Sequence, residues 1–155
     1  LLPWAMKRTL ILAAFAAALS GAAMAQTPTE ALSVVSGGKT HAFQVEVADT
    51  LPEISKGLTG RASLGKDQGL LMDFRTVREQ FNLNMKGVQV ELDMLFLDGE
   101  GMVRAIATSA RPGSLRTVAP GLGSAAVLQI AGGQATALGI KPGDTVKNKM
   151  FGNGG

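Results

Sequence analysis

The chain has no cysteine and no tyrosine, one histidine (His41) and one tryptophan (Trp4). The missing cysteine excludes disulfides, thiolate metal sites and cysteine nucleophiles together. A lone histidine excludes a multi-histidine metal centre. Charged residues are scarce at 17%, against 46% hydrophobic, which rules out disorder along most of the length. Glycine is plentiful, at 20 of 155 residues, a composition of turns and not of long helices. That length fits one domain and leaves no room for two ordinary ones.

From Met6 the chain reads MKRTLILAAFAAALSGAAMA. Lys7 and Arg8 form a positive start, residues 10–19 an apolar run, and Ala23-Met24-Ala25 a small-x-small cleavage pattern. The apolar run is too short to cross a ~30 Å hydrocarbon core as a helix. Residues 6–25 are therefore expected to be a cleavable signal peptide, with Met6 the initiator, residues 1–5 an upstream extension and Gln26 the mature start. Removing Lys7 and Arg8 would leave 13 basic residues against 12 acidic, lowering the net charge from +3 to +1. No basic stripe survives, so nucleic acid is not an expected partner. Export without cysteine fits a bacterial periplasm or secretion. After cleavage no segment is expected to span a membrane.

Hydrophobic runs of period two mark the strands. Residues 32–35 and 42–47 flank Ser36-Gly37-Gly38-Lys39, a hairpin signal. Thr50-Leu51-Pro52-Glu53 combines a hydroxyl cap, a first-turn proline and a glutamate three residues after the cap. It predicts a helix over residues 51–58, stopped by Gly57 or Gly60. Strands follow at 69–74 and at 91–98, the latter almost continuously apolar and so expected to be covered on both faces. Asp98-Gly99-Glu100-Gly101 turns into a partner strand at 102–107. Residues 108–123 read as a long loop, 125–130 as a strand, 132–138 as a short helix and 145–149 as a last strand. The expected fold is mainly β, a compact sandwich or jelly-roll-like domain with two short helices. Its organisation would be a tail and first strand at 26–41, one β-rich domain at 42–151 and a disordered tail at 152–155.

Three stretches, GLTGR (Gly57 to Arg61), MKGVQVELDMLFLDGEGMV (Met85 to Val103) and LGIKPGDTV (Leu138 to Val146), together with Gly69-Leu70-Leu71-Met72, resemble the bacterial and archaeal family called domain of unknown function 192. The resemblance runs from about Phe43 to Phe151. It implies a compact, mostly β, jelly-roll-like fold, often behind a signal peptide, and no established activity. The family usually carries Phe-Trp-Met-Lys-Asn-Thr before the central strand and a proline ahead of Leu-Asp. Here residues 83–88 read Leu-Asn-Met-Lys-Gly-Val and Glu91 replaces the proline; Met85, Lys86, Leu92 and Asp93 are kept.

Arg61, Lys86 and Asp93 are the candidate ligand-binding residues. If they converge, they form a polar cleft for an anionic or hydroxylated ligand, the arginine offering a planar donor fork. The alternative weighs more: Asp93 accepts backbone N–H bonds at a turn, paired with one of the two cations. Gly132-Gly133 before the second helix could present N–H groups to an anion. Asp73, Asp93, Asp98, Glu91 and Glu100 allow a paired-carboxylate hydrolase, although no spacing singles out two of them. The methionines are expected in the core and not on Cu(I). His41 is expected to be exposed.

No metal and no cofactor is expected, since Gly37-Gly38-Lys39 lacks the remainder of a phosphate loop. The reading leans away from an enzyme, towards an exported binding or accessory module for a small polar molecule or glycan. The alternatives are a hydrolase acting on envelope polymers, and a module for a protein partner through residues 108–123, where Leu115, Val118 and Leu122 would form an apolar patch.

Overall fold

The computed structural model describes residues 27–77, 82–118 and 124–154. The expected signal peptide at 6–25, Trp4, Gln26 and Leu122 lie outside the described residues. Strand β1 (Glu30–Ser36) turns into β2 (Lys39–Ala48) through Gly37 and Gly38. Both glycines have positive φ, 56° and 76°, the backbone that a two-residue turn needs to match strand twist. Helix α1 (Leu51–Lys56) starts as its cap chemistry dictates. The Thr50 hydroxyl accepts from the Glu53 amide and donates to the Glu53 carboxylate at 2.6 Å, a closed capping box.

Strand β3 (Gln68–Asp73) then pairs in parallel with β2, since the chain has crossed over through α1. Strands β4 (Leu92–Leu97), β5 (Val103–Ala110) and β6 (Ala126–Ala131) follow, then α2 (Gln134–Leu138), β7 (Thr145–Lys147) and a 3-10 turn, Lys149–Phe151. The mainly β domain with two short helices forms as expected, but the seven strands make one sheet, in the order β5-β4-β6-β3-β2-β1-β7. It curls into a half-barrel where a sandwich would need two sheets. At one end its edges meet: the Val146 amide donates to the Gly101 carbonyl at 2.7 Å, and that of Val103 to the Asp144 carbonyl at 2.8 Å. β1 lies between β2 and β7, inside the sheet, so it is integral to the domain expected to begin at residue 42.

Both sheet faces are covered, and the alternation of β4 sorts them. Leu95 and Leu97 join Val34, Phe43, Val45, Leu71 and Leu128 beneath α2. Leu92, Met94 and Phe96 join Met72 and Val127 beneath Ile54 of α1, Leu58, Leu83, Met85 and Val88. All six residues of β4 are buried, as its unbroken apolar run implied. Each buried leucine or isoleucine contributes about 1.5–3 kcal/mol relative to exposure.

Several details differ from expectation, among them the end of α1 at Lys56 where residue 58 was expected. β5 continues to Ala110, so the following loop begins later. Residues 152–154 are no loose tail: the Asn153 amide donates to the Val146 carbonyl at 2.9 Å and its oxygen accepts from the Asn148 amide. His41 is half-buried, with its Nε2 shielded and unpartnered among the described residues.

Candidate functional site

Asp93 is fully buried. Its Oδ1 accepts from the amides of Ser109 at 2.8 Å and Gly133 at 3.1 Å, and its Oδ2 from that of Ala135 at 2.8 Å. This explains two local oddities. Helix α2 begins at Gly133 with no capping side chain of its own, and Asp93 supplies the cap from a distant strand. Opposite Asp93, β5 bulges by one residue, and Ser109 there has φ 52°, an uncommon conformation for a side-chain-bearing residue. The carboxylate ties β4, β5 and α2 together. The N–H groups after Gly132 do meet an anion, and it is the chain's own.

Asp93 therefore does not join Arg61 and Lys86. It points beneath α2, while they stand on the other side of the sheet. Arg61 is committed to Glu46 of β2 through a salt bridge. Lys86 is exposed on the rim of a cleft of about 420 Å³, bounded by α1 with its following turn and by residues 82–88. Of the three candidates, only Lys86 lines this cleft.

The cleft exists because two turns approach closely without filling the space beneath them. The Gly60 amide donates to the Gly87 carbonyl at 3.1 Å. Gly87 has φ 72°, and a Cβ there would come within 2.8 Å of the Thr59 methyl, so a larger residue would push the walls apart. Thus Gly57 to Arg61 and Met85 to Gly87, two of the stretches that carry the family resemblance, face each other across it. Thr59, Asn84 and Lys86 supply polar groups at the rim, with Met72 and Gln129 beneath.

Gln129 was not singled out by sequence. It lies on β6 opposite Met94 of β4 and is 4% exposed. Its Nε2 approaches only the Met94 sulfur, at 3.9 Å, a weak acceptor. Its Oε1 is buried with no partner among the described residues. Such a group costs roughly 1–3 kcal/mol, so its retention calls for an explanation. The one sequence signal was an amide interrupting the apolar run 126–131.

The carboxylates do not make a hydrolytic pair among the described residues. Asp73 stands opposite Ala126 and Asp93 opposite Ile130, four residues apart on β6, or about 13 Å at a strand's rise. Burial raises the Asp73 pKa, but hydrogen bonds and charge from Arg75 outweigh it and hold the carboxyl below its ordinary value. Asp98 is likewise raised by burial and lowered further by the amides of Met102 and Glu100 and by Arg104. An ionised acceptor tied to an arginine or to turn amides is a poor proton donor. No group of three His, Asp or Glu side chains converges among the described residues. Of the apolar patch expected of the long loop, Leu115 is 70% exposed and Val118 is half-buried and bridges to Leu83, while Leu122 lies outside the described residues. Met72, Met85 and Met94 are buried in the core, while Met102 is exposed.

Two solved structures share this fold. A protein from Sinorhizobium meliloti, described as a proposed transcription regulator, is 30% identical with a TM-score of 0.75, covering 80% of this chain and 96% of its own. A protein of unknown function from Novosphingobium aromaticivorans is 32% identical with a TM-score of 0.72, covering 77% of this chain and 85% of its own. No curated protein matches the chain. The model of the uncharacterized ACR family DUF192 matches residues 32–148, most of the sheet and both helices, and the chain belongs to that family.

Proposed function

We propose that the protein is an exported binding module that takes a small polar ligand, such as a sugar or polyol, in the cleft between α1 and residues 82–88. One observation carries the reading: Gln129, almost wholly buried beneath the cleft, keeps a carbonyl oxygen without a partner among the described residues. A ligand O–H or N–H would satisfy it. Thr59, Asn84 and Lys86 would contact the more exposed side of the same molecule. Uncharged donors and acceptors together with two lysines, Lys56 and Lys86, suit a hydroxylated ligand, neutral or singly anionic. The chemistry we propose is recognition; the ionisable groups that line the cleft among the described residues are Lys56 and Lys86. The Sinorhizobium neighbour's description would suggest DNA as partner, but α1 and α2 have six and five residues, too short to read a major groove as a recognition helix does.

The test is a thermal-shift screen of mono- and disaccharides, polyols and amino acids, followed by calorimetry on the hits. A ligand at a hundred times its dissociation constant should stabilise the fold by about 2.7 kcal/mol. Gln129→Leu should abolish that response, and Lys86→Ala should weaken it. A ligand that binds Gln129→Leu as tightly as the parent would sink the assignment.

A further inference from the structure

A second hollow of about 660 Å³ lies on the same side of the sheet, between the end of β5 and residues 111–118. It is held open by the chain itself. The Met85 amide donates to the Ser114 carbonyl at 2.9 Å, and that of Val118 to the Leu83 carbonyl at 2.8 Å, so residues 114–118 stand as a wall against residues 83–85. Two arginines line it, Arg111 and Arg116, with the hydroxyl residues Thr108, Ser109, Ser114 and Thr117. Neither arginine is in an ion pair among the described residues, whereas Arg61, Arg75 and Arg104 each are.

The acidic residues closest in strand register are directed elsewhere. Since Leu92 pairs with Ala110, Glu91 stands next in register to Arg111. Yet the Glu91 side chain lies over Gly132, close enough that a Cβ at Gly132 would meet its Cγ at 2.5 Å. Asp93 is saturated by backbone amides on the opposite face. The hollow is thus lined by two arginines and four hydroxyl residues, with no acidic residue in its lining among the described residues. Guanidinium forks match tetrahedral and planar oxyanions, and hydroxyls supply the remaining donors.

We infer that this hollow is an anion site for a phosphate group, gripped by Arg111 and Arg116 and independent of the Gln129 cleft. The probe is inorganic pyrophosphate, titrated by calorimetry and by backbone-amide NMR at low salt. Pyrophosphate should shift the amides of Thr108, Ser109, Ser114 and Thr117. Arg111→Gln and Arg116→Gln should each weaken binding by about tenfold or more, as lost charge-assisted bonds do. Both arginines are exposed, so the variants should keep the parent's melting temperature. The Arg111→Lys/Arg116→Lys double variant keeps the charge but loses the forks, and should still bind several-fold more weakly than the parent. Lys66→Gln, an exposed cation outside the hollow, should change nothing. Vesicles of phosphatidylcholine with and without phosphatidic acid separate the sources: capture by the acidic vesicles in competition with pyrophosphate assigns a lipid headgroup, and its absence a free phosphate compound. Absent pyrophosphate binding, equal binding by the lysine double variant, or equal loss in Lys66→Gln would each overturn the site.

Discussion

Asp93 and Gln129 sit on neighbouring strands, one rung apart, and both are buried polar side chains in an otherwise apolar sheet. They could hardly be treated more differently. Asp93 faces α2, and its two oxygens accept three backbone N–H bonds. Gln129 faces the cleft, with a sulfur for its amide and, among the described residues, nothing for its carbonyl. A buried charge that is fully hydrogen-bonded holds the structure around it, because removing it orphans every donor at once. A buried neutral amide left half-satisfied adds nothing to stability and is better explained by something it binds. Adjacent positions, of similar burial and polarity, therefore divide into architecture and recognition according to their partners.

Substitutions can break this contrast. Asp93→Ala should have the largest effect: three orphaned amides, at about 1–3 kcal/mol each, imply a loss of roughly 3 kcal/mol or more. Asp93→Asn, retaining one good acceptor, should fall between it and the parent. Urea denaturation at pH 7 measures both, and an Asp93→Ala protein within about 1 kcal/mol of the parent would remove Asp93's structural role. Gln129→Leu should move the other way, leaving stability unchanged or raising it by about 1–2 kcal/mol, because an unsatisfied polar group is replaced by an apolar one of similar size. If it destabilises as Asp93→Ala does, the two residues are alike after all.

Acid should distinguish paired carboxylates at a smaller scale. Asp73 has its pKa lowered in the fold, so its stabilisation is fully present above the unfolded value, near pH 4, and is lost as pH falls through the lowered folded value. Asp73→Asn should thus cost under about 1 kcal/mol at pH 7, since Arg75 is half-exposed, and should converge with the parent as pH falls through the lowered folded value. A gap that widened towards low pH would contradict the sign. The smallest effect belongs to Arg61→Ala. Its bridge to Glu46 is part-buried, with the Arg61 side chain 40% exposed, and is worth about 0.5 kcal/mol, and ligand binding in the cleft should not change.

Much of the fold was legible because its signals are local. The Thr50–Glu53 capping box, the Gly37-Gly38 turn and the unbroken apolar run of β4 each depend on residues within a few positions of one another. The candidate site was legible only in part. Lys86 lines the cleft, but Arg61 answers to Glu46 and Asp93 to amides brought from Ser109, Gly133 and Ala135. Those partners lie 15 to 42 positions away along the chain, and no periodicity or spacing reports them. Gln129 went unnoticed for the same reason: an amide in an apolar strand says nothing about whether its oxygen will find a donor.

Composition and short-range pattern by themselves determined a mainly β chain with two short helices, no thiol chemistry and a recognisable family. Strand periodicity and turn chemistry act over a few residues, and they survive any later arrangement of the parts. Tertiary structure alone decided that the strands would curl into one half-barrel, that α2 would be capped by Asp93 of the distant strand β4, and that two hollows would open beside residues 82–88. The physical reason is the satisfaction of buried polar groups. Whether a donor or acceptor ends paired, orphaned or charged against a neighbour depends on which strands meet, and that is set by burial of the whole sheet and not by the residues alongside.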